Sequence, residues 1–508
     1  MPKHLLPRRL RFLVALLSVL SPLCINAAEP SPMPLRKPNV IFFIADDLGY
    51  ADVGCFGQKK IHTPNIDRIA TEGMKFTQHY SGSPVCAPSR CVLMTGKHSG
   101  HSAVRDNREL KPEGQFPLPA NTITVARLLQ QNGYITGAFG KWGLGGPESS
   151  GKPLDQGFTR FFGYNCQRVA HNLFPTYLWD DNHRLALDNP PIGEDQKLPA
   201  DADSNDPASY KAFTGKSYAP DLYAEQALRF IRDNKDHPFF LFFPTIVPHV
   251  ALQVPEDSLK EYEGKLPETP YTGGKGYLPN RTPHAAYAAM ITRMDRDLGR
   301  MLALIKELNL DDDTIFVFTS DNGPAPQDMG GTDTKFFNSS GPFRSGKTSI
   351  YEGGMRIPLI VRWHGKIQPN STSDRVTGFE DWLPTLLELS GNKKSVPTGI
   401  DGLSFASTLL GEKLPERPFL YREFPAYGGQ QAIRVGNWKA VRQHLKPKGN
   451  AKPNLHIELY DLQTDIAESH DVSDEHPDIV TKLDNLMREQ HIPSKAFPFP
   501  ALDKPGSN

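Results

Sequence analysis

The sequence predicts an α/β protein: a doubly wound mixed sheet flanked by helices, followed by a smaller C-terminal antiparallel α+β subdomain. Three observations point there. Before residue 395, apolar runs of strand length recur, and after the first, which follows a Pro-rich linker, they alternate with amphipathic segments of helical period. Most of these runs end on charged or amide residues, as expected where buried parallel strands emerge at a sheet's carboxyl edge. After residue 395 the pattern changes to short alternating segments separated by turns.

Taken in order, residues 1–28 read as an export signal. Lys3, Arg8, Arg9 and Arg11 precede an apolar run from Phe12 to Leu20, and Ala27 and Ala28 follow. That run is too short for a stable membrane span, so the chain is expected to be exported, periplasmic or secreted. The catalytic region is expected over 29–394 and the subdomain over 395–508. "NVIFFIADD" is a strand buried on both faces that ends on Asp46 and Asp47. "NTITVARLLQQNGYITGAFGKW" is a helix, a glycine stop and a strand ending near Lys141. "DLYAEQALRFIRDN" followed by "PFFLFFPTIVPH" repeats that unit and ends near His249. "YAAMITRMDRDLGRMLALIKEL" is a long amphipathic helix, and "TIFVFTSDNG" is a strand ending on Asp321 and Asn322. Residues 190–216, rich in Pro, Asp, Ser and Gly, read as an irregular surface insertion. "RPFLYREF", "QAIRVGNWKAVRQH" and "IELYDL" are the short strands of the subdomain, closed by the helix "DIVTKLDNLMREQH".

Lys+Arg and Asp+Glu both number 57, so bulk electrostatics give no reason to expect nucleic acid as a partner. Loss of the signal removes Cys24 and leaves Cys55, Cys86, Cys91 and Cys166, too few for a disulfide scaffold in a chain of 508 residues.

The chemistry-bearing residues fall at the strand ends. Cys86 opens "CAPSRC"; Pro88 suits a first helical turn, which would set Cys86 beside backbone N–H groups that favour an anion. Arg90 adds a permanent forked donor. Asp46, Asp47, Asp321 and Asn322 offer oxygen ligands only, the choice of a hard ion such as calcium or magnesium. Each pair alone would also suit an ordinary turn. Lys141, His249 and Lys347 complete an anion cradle with a general acid.

In these stretches the chain resembles the type I, formylglycine-dependent sulfatases of the alkaline-phosphatase-like superfamily. "CAPSRCVLMTG" matches the Cys-x-Pro-Ser-Arg signature through its closing Thr-Gly, and "NVIFFIADDLGYADVGCFG", "GKW", "PH", "SDNG" and "GKTSIYEGGMRIP" follow in the family's order. The resemblance implies that a formylglycine-generating enzyme converts Cys86 to 3-oxoalanine (formylglycine). One hydroxyl of the hydrated aldehyde would attack sulfur and the other would release sulfate. It implies Ca2+ on Asp46, Asp47, Asp321 and Asn322, Arg90 holding the formylglycine hydroxyl, Lys141 and Lys347 on sulfate oxygens, and His249 at the sulfate or leaving oxygen. The chain departs from the pattern at Gly143, where the family commonly carries a histidine. His98, His101 and His171 are candidates for its work, and Arg168, His101 and His171 for contact with substrate. The expected substrate is a sulfated carbohydrate or an aryl sulfate. Phosphodiester or phosphonate hydrolysis, known in the same superfamily, is the alternative, and a catalytically dead binding protein is a third reading.

Overall fold

Strand β1 (Asn39–Ala45) organises the molecule because both of its faces are apolar and all seven of its residues are buried. Ile41, Phe43 and Ala45 enter one core; Val40, Phe42 and Ile44 enter the other, across the sheet. The first core is closed by helices Pro64–Thr71, Ala219–Asp233 and Pro283–Glu307. The second is closed by helices Cys86–Thr95, Val125–Gln131 and Trp382–Leu389. Two-sided cover of this kind is what a mostly parallel sheet requires. The computed structural model describes residues 37–193, 195–449 and 451–503; the segment 1–28, expected from its sequence to direct export, lies outside them. Among the described residues no helix is long and apolar enough to cross a membrane.

The other strands of the large sheet are β2 (Met74–Tyr80), β3 (Ile135–Lys141), β4 (Arg160–Tyr164), β5 (Tyr177–Asp180), β6 (His183–Ala186), β7 (Phe239–Pro244), β8 (Thr314–Ser320), β9 (Arg356–Trp363), β10 (Ser371–Ser373) and β11 (Thr377–Gly378). Their order is β10-β2-β9-β8-β1-β7-β3-β4-β5-β6, with β11 also on β2. The centre is parallel, β8-β1-β7-β3-β4, whereas β9 runs antiparallel to both β8 and β2. Ala45 pairs with Ser320 and Ile44 with Pro244. The residues that follow these strands therefore emerge side by side at one rim.

The second sheet comprises β12 (Leu420–Phe424), β13 (Gln430–Val435), β14 (Trp438–Arg442) and β15 (Glu458–Asp461), all antiparallel. Helix Pro477–Glu489 packs Leu483 and Met487 on one face. The other face meets Tyr80, Ile350, Tyr351 and Met355 of the large layer. Buried ion pairs lock this junction. Arg422 holds Glu380 through bonds of 3.0 and 2.8 Å, Lys439 reaches Glu352 at 2.9 Å, and Arg105 reaches Glu423 at 2.7 Å. The 190–216 stretch is mostly irregular, apart from a short 3-10 turn, Pro207–Phe213, whose Tyr210 and Phe213 pack on Ala251 and Leu278.

Helix Pro283–Glu307 carries one costly residue. Asp297 is buried, and the Arg300 guanidinium reaches its Oδ1 at only 3.4 Å. Burial, reinforced by Asp221, pushes its carboxyl up to about 7 from an ordinary 3.8. The native state therefore keeps a proton that the unfolded chain has released. Stability falls as pH rises through that window, and the penalty is complete above 7. Asp297→Asn is expected to stabilise the protein by about 1–3 kcal/mol at pH 8 and to change it little at pH 4.5. Urea unfolding at the two pH values measures the difference; equal effects at both would contradict this account.

Candidate active site

The rim begins at the end of β1. In an extended strand Asp46 and Asp47 would point to opposite faces. Asp47 instead takes a left-handed conformation, φ 62°, which aspartate tolerates better than most residues. The alternation breaks, and both carboxylates enter one site. Beside them, the Asp321 N–H continues the ladder to the Ala45 carbonyl at 3.0 Å, and Asn322 Nδ2 donates to Asp47 Oδ1 at 2.7 Å. Gly323 lets the following loop close over the rim, since a β-carbon there would lie 1.9 Å from the Gly353 carbonyl oxygen. That loop brings Lys347 to Asp47 Oδ2 at 2.8 Å.

Cys86 is the first residue of a ten-residue helix, all of it buried. The Ala87 N–H donates to Asn107 Oδ1 at 2.9 Å, and the Ser89 hydroxyl donates to the Asp321 carbonyl at 2.5 Å. These bonds pin the first turn to the rim. Cys86 Sγ lies 3.3 Å from Asp46 Oδ1, and Lys141 Nζ lies 3.6 Å from Sγ and 2.5 Å from Asp46 Oδ2. One turn on, Arg90 donates through Nε and Nη2 to Asp321 Oδ2 at 3.0 and 2.8 Å, and through Nη1 to the Lys141 carbonyl. Lys141 is the last residue of β3.

His249 closes the opposite side. Its Nδ1–H donates to the Val250 carbonyl at 2.5 Å, which leaves Nε2 as the reactive nitrogen, 3.6 Å from Asp47 Oδ2. His171 stacks on it with ring centroids 5.0 Å apart, and Tyr277 packs against His171 at 5.3 Å.

The electrostatics follow from burial and pairing. Burial opposes the charge on Asp46, but Lys141, His249 and Arg90 outweigh it and hold the carboxyl well below its usual range. At Asp47 and Asp321 burial wins: Asp47 is raised, and Asp321 is pushed up to about 6 with help from Asp46. Burial and the Asp46 carboxylate push the Cys86 thiol far above its ordinary value, so the unaltered side chain is a poor nucleophile. Burial depresses His249 and His171, through Lys347 as well for the first and through His249 itself for the second.

A cation fits this donor set. One ligand atom each from Asp46, Asp47, Cys86 and His249 lie within 4.8 Å of one another. Asn322 Oδ1 is buried without a hydrogen-bond partner among the described residues, a cost that an ion would remove. Asp321 joins the cluster through Arg90 and by accepting the Asp47 N–H at 3.3 Å.

The structure thus brings Asp46, Asp47, Cys86, Arg90, Lys141, His249, Asp321, Asn322 and Lys347 to one rim, with His171 against His249. It does not bring His101 there. That ring faces His98 at 4.1 Å and bonds Asp401 at 2.9 Å. Arg168 is half-exposed, with its guanidinium 3.7 Å from Glu109. Cys91 sits in the apolar core on its helix, and Cys55, Cys86, Cys91 and Cys166 are all free thiols. Sequence reasoning passed over Tyr277 and Gln167, which lie in loops without a periodic signal.

Known proteins resemble this chain over most of its length. The Sulfatase family profile matches residues 38–392, and the profile described as N-sulphoglucosamine sulphohydrolase, C-terminal, matches 344–492. The chain is 30% identical to an N-acetylgalactosamine-6-O-sulfatase of Bacteroides thetaiotaomicron, over 89% of this chain and 93% of that one. It is 32% identical to human arylsulfatase A, over 86% and 83%. The solved structure of Ps i-CgsB in complex with k-i-k-neocarrahexaose superposes with a TM-score of 0.71 at 26% identity, over 89% of this chain and 92% of that one. The chain belongs to the formylglycine-dependent sulfatase family of the alkaline-phosphatase-like superfamily and is a sulfuric ester hydrolase.

Proposed function

We propose that this protein is an exported sulfatase that removes sulfate from carbohydrate esters, using a formylglycine made from Cys86 and a bound calcium ion. The observation that carries this reading is the setting of Cys86, a buried side chain at a helix start between Asp46 and Lys141, within the signature "CAPSR". The carbohydrate preference is supported by the relative named for N-acetylgalactosamine 6-sulfate and by the oligosaccharide in the Ps i-CgsB structure. Aryl sulfates suit the same reaction, as the likeness to arylsulfatase A indicates. Export rests on the segment at 1–28.

Formylglycine at position 86 would supply a nucleophilic oxygen. Calcium on Asp46, Asp47, Asp321 and Asn322 would polarise the sulfate oxygens. The chain's own residues do the rest. Lys141, paired with Asp46, and Lys347, paired with Asp47, would present ammonium groups to the sulfate and offset charge as it moves onto oxygen. Arg90, fixed by Asp321, keeps the start of the helix and residue 86 in place. His249, oriented by Val250, offers Nε2 to the leaving oxygen; an anionic ester bound beside it raises its proton affinity and favours the acid form. Cys86 is 1% exposed, so an enzyme that converts it must reach the segment before the helix packs.

Two outcomes test the reading. Protein from the natural source should hydrolyse nitrophenyl sulfate and sulfated saccharides faster than nitrophenyl phosphodiesters, and its tryptic peptide spanning residue 86 should show the mass of an aldehyde in place of the thiol. Cys86→Ala should then lose at least about 10³-fold in kcat. Faster phosphodiester cleavage, or an unmodified thiol in fully active protein, would refute it. Separately, chelation should abolish activity, and calcium should restore it where zinc does not. The double substitution Asp46→Ala with Asp321→Ala should remove calcium binding in calorimetry; retained binding would place the metal elsewhere.

A further inference from the structure

One buried donor at the rim has no acceptor among the described residues. β3 and β4 run parallel with Lys141 opposite Tyr164, and their ladder continues beyond both strands. The Trp142 N–H donates to the Tyr164 carbonyl at 2.9 Å, and the Gly143 N–H to the Asn165 carbonyl at 3.2 Å. Residue 143 and residues 165–167 are thereby carried to the same edge as Lys141, whose Nζ is 3.6 Å from Cys86 Sγ. Gly143 has φ +78°, and a β-carbon there would lie 2.8 Å from Gln167 Nε2 and 3.1 Å from its Cγ. The glutamine side chain therefore fills the space that a side chain at 143 would need. Gln167 is 5% exposed, and its backbone N–H is anchored on Gln115 Oε1 at 3.2 Å. Its Nε2, however, has no hydrogen-bond partner among the described residues. Native proteins rarely leave such a donor unpaired.

We propose that Gln167 is a substrate-binding residue that donates from Nε2 to a sulfate oxygen on the Lys141 side of residue 86. This rests on the sulfatase reading above. An amide suits the position physically. The site already buries the cations Arg90, Lys141 and Lys347, and a neutral donor adds a charge-assisted hydrogen bond to an anion without adding further charge to bury. Gly143 is the second half of the device, since only a residue without a side chain leaves the glutamine its place. Its left-handed backbone is also one that other residues adopt with strain.

Gln167→Leu removes the donor at similar volume, and Gln167→Glu replaces it with a carboxylate facing the anion. Inorganic sulfate binding is read by calorimetry on protein retaining the Cys86 thiol, and kcat/KM is read with nitrophenyl sulfate on the mature enzyme. The leucine variant is expected to weaken sulfate binding and lower kcat/KM by about tenfold or more, and the glutamate variant to lose further, with melting temperatures near wild type. Gly143→Ala, whose methyl group displaces Nε2, should move sulfate affinity in the same direction. Sulfate affinity and kcat/KM within twofold of wild type in both Gln167 variants would overturn the proposal. So would losses that only follow a fall in melting temperature. If wild-type protein binds sulfate yet cleaves no sulfate ester, the functional reading fails while the binding comparison still decides the role of Gln167.

Discussion

The constraint on which the site depends is charge balance under burial. Asp46, Asp47 and Asp321 are buried at the ends of neighbouring parallel strands, and Arg90, Lys141 and Lys347 are buried against them. Three negative and three positive groups cancel. None could stand alone, because an unpaired buried charge costs several kcal/mol. A divalent cation added to that neutral set gives it a net charge of two, and a sulfate monoester brings one negative charge to meet it. On the proposed reading, the protein folds around a compensated cluster that an added ion would turn into an anion receptor.

Much of this was legible in the sequence because the relevant residues sit next to strongly patterned strands. β1, β7 and β8 are short continuous apolar runs, and the polar residues that follow them converge by parallel register alone. β2 and β9 lack such a pattern. Met74–Tyr80 alternates imperfectly, with Thr77 and Gln78 breaking its apolar face, and a register shift between Phe76 and His79 accompanies the break. Arg356–Trp363 has Pro358 inside it, a residue that argues against an interior strand. In the structure the Pro358 carbonyl is used instead, accepting from the Thr319 hydroxyl at 2.8 Å.

The part of the site that sequence could not show comes from residues whose neighbours are distant in the chain. His171 was one of several equivalent candidates until its ring was seen against His249, and His101 was equally plausible until Asp401, 300 positions away, claimed it. Gln167 and Tyr277 lie in irregular segments where no periodicity marks one side chain over another. Their positions follow from where β4 ends and how the loop at 271–280 folds back, which are properties of the whole packing.

The contact between the two sheets bears on the order in which the chain is made. Gln430, at the start of β13, donates through Nε2 to the Thr348 carbonyl at 2.8 Å and accepts the Ile350 N–H at 3.0 Å, so the loop that carries Lys347 is braced by the C-terminal sheet. Asp46, Cys86, Arg90 and Lys141 leave the ribosome hundreds of residues earlier. A nascent chain of that length holds the first half of the cluster with neither Asp321 nor Lys347 to complete it. Translation itself therefore opens an interval in which residue 86 is accessible, and it closes that interval when the last strands dock.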